Sequence, residues 1–253
     1  MEKREFELEG RKITMYGSAG ARFTLIQPSD EQDLSGMDGE VQAVAETTGT
    51  EDFCLAAVGV RNWNGELSPW EAPPVFGSEG FGSGAGEMLL YITEKLLPHL
   101  AEEREKALGN TQGSDAGTAG PAVFLGGYSL AGFFALWSAY QTALFDGVAA
   151  VSPSVWFPGW TEYASGHSCR TPAVYLSRGN REERTRNRTM AQVGDAIREQ
   201  YRKLSSEGVP SVLEWNPGNH FRDAGLRTAK GFSWLILRDL EAEPEEEKKG
   251  APQ

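Results

Sequence analysis

Ser129 has the surroundings of a reactive residue. It stands in Leu125-Gly126-Gly127-Tyr128-Ser129-Leu130-Ala131-Gly132-Phe133-Phe134, between an apolar β-rich run and an apolar segment of helical period. A strand turning sharply into a helix presents a serine hydroxyl above a sheet, and the turn demands small residues two positions before and after it. Gly127 and Ala131 meet that demand, and Gly126 and Gly132 are expected to add slack on either side. A serine hydroxyl is a weak nucleophile until a base removes its proton, so the chemistry expected is acyl transfer through Ser129 with a histidine partner. The Leu130 amide, first in the helix, is placed to receive an oxyanion, helped by the helix dipole.

The chain has three histidines, His99, His167 and His220. Where such a turn works with a triad, the partners follow in the order serine, acid, histidine. His99 precedes the serine within a helical pattern, and His167 lies in a loop ahead of the next strand. His220 satisfies the order, after the run Val212-Leu-Glu-Trp215 and the turn Asn216-Pro-Gly-Asn219. The acid, which holds the imidazole in its working tautomer, is expected after the strand Ala173 to Ser177. Glu182 is preferred, because a glycine followed three residues later by a carboxylate suits a loop bending back; Glu183 is its near rival. Asp195 falls in the following helix and Asp223 after the histidine, so both are less suited. A second oxyanion donor is expected from the backbone near Arg61 or Asn62. Trp63 and Trp156 are the chosen substrate-binding residues, with Trp70, Phe76, Phe81 and Phe157 as further aromatic walls.

These residues need elements to hold them. Apolar β-rich runs alternate with segments of helical period, the mark of an α/β fold with a mostly parallel sheet and helices on both faces. Strands are expected at Ile13–Tyr16, Phe23–Gln27, Phe53–Val60, Ala122–Leu125, Gly147–Ser152, Ala173–Ser177 and Val212–Trp215. Helices are expected at Asp33–Thr48, Glu87–Ala107, Leu130–Leu144, Met190–Leu204 and Leu226–Leu240, with Pro98 disturbing the second. A long loop spans Arg61 to Gly86, and residues 108–121 read as a polar connector. Residues 1–240 are read as one domain, and 241–253 as a charged, disordered tail.

Composition narrows the partners. Of 253 residues, 24 are basic and 36 acidic, a net charge of −12. Such a surface disfavours nucleic acid and anionic membranes and says nothing direct about a small neutral substrate; the small-molecule ester expected as partner follows from the turn at Ser129. No apolar leader or spanning stretch is visible, so a cytoplasmic protein is expected. Cys54 and Cys169 lie far apart without metal-type spacing and are expected as free thiols, with no metal.

Four stretches carry a wider resemblance: Trp63-Asn-Gly-Glu-Leu-Ser-Pro-Trp70, Gly127-Tyr-Ser-Leu-Ala-Gly132, Val151-Ser-Pro-Ser-Val-Trp156 and Gly218-Asn-His-Phe221. With them the chain resembles the esterase family of the α/β-hydrolase superfamily that includes enterochelin esterases and S-formylglutathione hydrolases. The resemblance implies the α/β-hydrolase fold and an ester or thioester hydrolase with Ser129 as nucleophile and His220 as base. It implies no metal or organic cofactor. Some members of that family are acyltransferases, and the broad substrate range names a reaction rather than a molecule.

Overall fold

The structure, a computed structural model, describes residues 1–75, 77–109 and 120–242. The middle of the expected connector (110–119), Phe76 and the tail from 243 lie outside the described residues. The chain opens with a hairpin, β1 (Lys3–Leu8) and β2 (Arg11–Gly17), followed by β3 (Phe23–Ser29), α1 (Glu31–Thr48) and β4 (Phe53–Gly59). The long loop contains a short helix, α2 (Trp63–Glu66). It leads to α3 (Ala85–Tyr91), a π-helical turn over Ile92–Leu96, and α4 (Leu97–Leu108). Then come β5 (Ala122–Tyr128), α5 (Leu130–Gln141), β6 (Gly147–Val151), α6 (Trp160–Ser165) and β7 (Val174–Gly179). The chain closes with α7 (Arg188–Ala191), α8 (Val193–Ser206), β8 (Ser211–Asn216) and α9 (Ala224–Ala242).

The eight strands form one sheet in the order β1-β2-β4-β3-β5-β6-β7-β8. Pairing is antiparallel from β1 through β2 to β4 and parallel from β4 to β8. The parallel strands β3, β4, β6 and β7 are buried along nearly all their length, as helix-covered strands must be, whereas β8 at the sheet edge is mostly half-buried. In β5, Phe124 packs with Phe23, Val41 and Phe232 on one face, while Leu125 packs with Phe133, Leu176 and Ile197 on the other. Accordingly, α1 and α9 cover one face and α5 and α8 the other. Residues Leu130 to Tyr140 of α5 are all buried, so its apolar character runs right round the helix.

The differences from expectation have local causes. Strand β1 was not expected, because Lys-Arg-Glu-Phe-Glu-Leu is mostly charged; it is an edge strand whose alternate residues face solvent. Helix α1 starts two residues early, because Asp30 is its cap: the Asp30 carboxylate accepts from the Asp33 amide (2.8 Å) and Asp33 returns the bond (3.2 Å). Pro98 does not end its helix. The wide π turn before it accommodates a ring that would press on the Glu94 carbonyl in a regular helix. Both cysteines are free.

Candidate active site

β5 delivers the chain into the turn at Ser129. That residue adopts φ 58° and ψ −117°, a conformation nearly reserved for glycine. The surroundings over-determine it. The Ser129 amide donates to the Val151 carbonyl (3.0 Å), and the Ser129 carbonyl accepts from the Phe133 (2.9 Å) and Ser154 (3.1 Å) amides. A Cβ on Gly127 would sit 2.7 Å from the Ala131 Cβ, and one on Gly132 would sit 2.7 Å from the Gly127 carbonyl. Gly126 is equally confined, by the Phe232 ring at 2.7 Å. Gly126 and Gly132 therefore supply close approach, not slack.

His220 rides on the loop between β8 and α9. Its Nε2 lies 2.9 Å from Ser129 Oγ and its Nδ1 lies 3.1 Å from Glu182 Oε2. Glu182, following β7, is buried with a side chain 4% exposed. Its other oxygen, Oε1, accepts from the Gly179 amide (2.5 Å), the Ser152 hydroxyl (2.8 Å) and Arg227 Nη1 (3.2 Å). Burial alone would raise this carboxyl's pKa. The hydrogen bond and charge of His220, the Gly179 amide and the Ser152 hydroxyl outweigh it and hold the pKa below the usual range. An ionised carboxylate only accepts, so His220 Nδ1 carries the proton and Nε2 keeps the lone pair that faces Ser129.

Three further residues of this cluster carry no chemical signal in the sequence. Arg227, on α9 and fully buried, reaches Glu182, the Tyr128 hydroxyl (3.0 Å) and the carbonyls of Pro217 (2.9 Å) and Asn219 (3.1 Å). Tyr128 donates to the His220 carbonyl at 2.6 Å. Ser152 takes a positive φ of 42° at the end of β6, which turns its hydroxyl to Glu182. Loop pairing adds the rest: the amides of Asn180 and Arg181 donate to the carbonyls of Asn216 and Gly218.

The other titratable residues weighed from the sequence lie elsewhere. Glu183 pairs with the buried Arg178 at 3.4 Å, and Asp195 faces solvent beside Arg198. Asp223 pairs with Arg222. His99 lies beside Glu103 and the Phe6 ring, and His167 stacks on Tyr163 at 4.0 Å.

A cleft of about 480 Å³ opens over Ser129 and His220. Trp63, Asn64, Phe81, Leu130, Ser154, Trp156, Thr185, Asn187, Met190 and Phe221 line it. Trp63 and Trp156, the two residues expected to bind substrate, are both among the lining residues. Trp70 instead turns its indole to the Pro158 carbonyl and packs edge-on to Phe157, itself buried. Arg61 and Asn62 do not line the cleft, a correction to the expected oxyanion position. Both amides donate to Glu66 Oε1, at 3.3 and 3.2 Å, and the Asn62 side chain caps α2 through the Gly65 amide. The next two residues, Trp63 and Asn64, reach the cleft in their place, with first-turn amides that a helix leaves without an internal acceptor. Among the described residues no group of three or more His, Cys, Asp or Glu could hold a metal ion. No described helix is long and apolar enough to cross a membrane.

No family model and no curated protein matches this chain by sequence. Solved structures do resemble it. An IroE-like serine hydrolase from Shewanella oneidensis matches with a TM-score of 0.72 and 16% identity, over 93% of this chain and 80% of that one. A siderophore hydrolase, EstA, from Aspergillus nidulans matches with a TM-score of 0.70 and 17% identity, over 96% and 95%. The enterobactin esterase FES from Shigella flexneri matches with a TM-score of 0.61 and 14% identity over 94% of this chain, which spans 59% of that longer one. With its mostly parallel sheet and the turn at Ser129, the chain has the α/β-hydrolase fold.

Proposed function

We propose that the protein is a serine esterase that works through an acyl-enzyme on Ser129. The observation that carries this reading is the unbroken line from Ser129 Oγ to His220 Nε2 (2.9 Å) and from His220 Nδ1 to Glu182 (3.1 Å), at the base of an open cleft. In this reading His220 takes the hydroxyl proton as Oγ attacks the ester carbonyl. Glu182 fixes the tautomer and stabilises the imidazolium that forms. His220 then returns the proton to the leaving alcohol, and a water molecule repeats the steps to release the acid.

The oxyanion falls to the Leu130 amide and to one first-turn amide of α2, from Trp63 or Asn64. Each such donor lowers the barrier by about 3 kcal/mol. The names of the similar structures, a serine hydrolase, a siderophore hydrolase and an enterobactin esterase, support a hydrolase with a small-molecule ester substrate. Strands of the one sheet run from Lys3 to Asn216, which supports reading residues 1–240 as one domain.

A fluorophosphonate probe tests the nucleophile. It is expected to label the native protein and not Ser129→Ala. A folded native protein that takes no label overturns the reading in favour of a binding protein on a hydrolase scaffold.

A further inference from the structure

One rim of the cleft carries a charge at odds with the rest of the chain. Arg181, Arg184, Arg186 and Arg188 fall within eight residues of a protein whose net charge is −12. All four are exposed, and none has an ion-pair partner among the described residues. The two acids in the same stretch have partners outside it, Glu182 in His220 and Arg227 and the exposed Glu183 in Arg178 and Arg198. The loop therefore presents to solvent four positive charges that are in no ion pair among the described residues.

Its position is fixed relative to the catalytic residues. Thr185 and Asn187, which alternate with the arginines, line the cleft. Asn187 Nδ2 donates to the Val75 carbonyl of the opposite rim at 2.5 Å, and the Arg181 amide donates to Gly218, two residues before His220. That opposite rim holds Glu71 and Glu79, both exposed and in no ion pair with the arginines among the described residues. The cleft itself differs in character. Its larger walls are apolar, Trp63, Phe81, Trp156, Met190 and Phe221, the other polar lining residues are uncharged, and His220 is the one titratable residue among those lining it. Phe221 is 88% exposed, an apolar ring left in water beside His220. An ion seated there would exchange its hydration for neutral side chains with no fixed opposite charge.

Building on the esterase reading, we propose that the substrate is an amphipathic ester. Its uncharged apolar half fills the cleft, and its other half carries an anionic group, carboxylate or phosphate, that the arginine loop holds at the mouth. Charges on this loop draw an anion toward the cleft over about 8 Å at physiological salt, the distance at which screening sets in.

Slow-reacting amide analogues test this without relying on turnover. Three hexanamides, whose amine halves end in a carboxylate, a phosphate or a neutral carboxamide, are titrated calorimetrically. At low salt the charged pair is expected to bind roughly tenfold more tightly than the carboxamide. That advantage should vanish at high salt and in Arg184→Gln/Arg186→Gln/Arg188→Gln, and the stronger of the pair identifies the anion. Shortening hexanoyl to acetyl should weaken binding roughly threefold to fourfold per methylene. Equal binding of all three at low salt, or no dependence on chain length, overturns the proposal. Fluorophosphonate labelling separates the two readings. Labelled Ser129 without charge discrimination removes the amphipathic substrate and leaves the esterase; charge discrimination without labelling does the reverse.

Discussion

Two buried carboxylates lie on either side of Tyr128, and the protein treats them in opposite ways. Glu182 receives donors on both oxygens, from His220, Gly179, Ser152 and Arg227, and is held ionised. Glu40, on α1, lines a small pocket with Gln27, Asp33, Tyr128 and Thr228, facing the start of α9. Its Oε1 and the Oε1 of Gln27 have no hydrogen-bond partner among the described residues. Burial lifts the Glu40 carboxyl well above the usual range. The Gln27 side chain opposes this only in part, and the charge of Asp33 adds to it. Burial is common to both sites; what differs is the supply of donors. A charge is kept inside only where hydrogen bonds replace its water, so the equipped carboxylate is the one expected to work.

The sharpest test of that contrast removes each charge while keeping its shape. Glu182→Gln is expected to lower kcat on a chromogenic ester by about 10³- to 10⁴-fold, because the amide can no longer hold the imidazole tautomer. Glu40→Gln should leave kcat within about twofold, since Glu40 makes no hydrogen bond to Ser129, His220 or Glu182. Comparable losses in the two variants would break the comparison, and an unchanged Glu182→Gln would leave a Ser129–His220 dyad without an acid. Glu183→Gln, beside Arg178, belongs with Glu40→Gln and should lose little activity.

Arg227 is one of the four donors that equip the Glu182 side, and it gives the next largest effect. Arg227→Met leaves Glu182 Oε1 one donor short and frees the carbonyls of Pro217 and Asn219, which flank the His220 loop. Breaking a buried pair in this way is expected to cost about 3–5 kcal/mol in urea unfolding. Activity should fall about 10- to 100-fold through kcat rather than KM, because the histidine loop loses its anchor. Arg227→Lys should recover part of the stability and less of the activity, since an ammonium cannot reach carboxylate and carbonyls with one planar fork. A loss confined to stability would mean that Arg227 holds the fold and not the histidine.

The unequal legibility of the site follows the same division. Ser129 and His220 stand out in the sequence because the strain at one and the chain order of the other are local properties. Choosing Glu182 over Glu183 is less secure from sequence, because Arg181 and Gly218 meet across two loops to aim the first of them at His220. In the proposed reading the second oxyanion donor moves one or two residues along from Arg61 and Asn62 for a similar reason: the Glu66 carboxylate folds back and takes the Arg61 and Asn62 amides. Arg227 carries no signal at all. It sits between Leu226 and Thr228 in an ordinary helical pattern, and only the packing of α9 against the sheet buries it. In the fold, the strands with long apolar runs are legible, whereas β1 is hidden by charges that belong on an edge.

The smallest expected effect lies in stability against pH, where the two regions should pull in opposite directions. Glu182 has a depressed pKa, so its contribution is present above the ordinary carboxylate value and is lost as pH falls through its lower folded value. Asp33, in the Glu40 pocket, is pushed up to about 6 from 3.8, first by burial and then by the charge of Asp30, with the Asp30 amide opposing. An acid with a raised pKa acts in reverse. Between about pH 4 and 6 the unfolded chain ionises while the folded one keeps its proton, so stability drains away as pH rises and then levels off. At 1.36 kcal/mol per unit, and allowing for partial exposure, the penalty above pH 6 is on the order of 1–3 kcal/mol. Asp33→Asn retains an acceptor for the Asp30 amide and removes the charge. It should therefore unfold at higher urea than the parent at pH 8 and at nearly the same urea at pH 4. A gain of equal size at both values would trace the effect to the helix cap rather than to the buried charge, and the contrast between the two carboxylate regions would then rest on Glu182 and Glu40 alone.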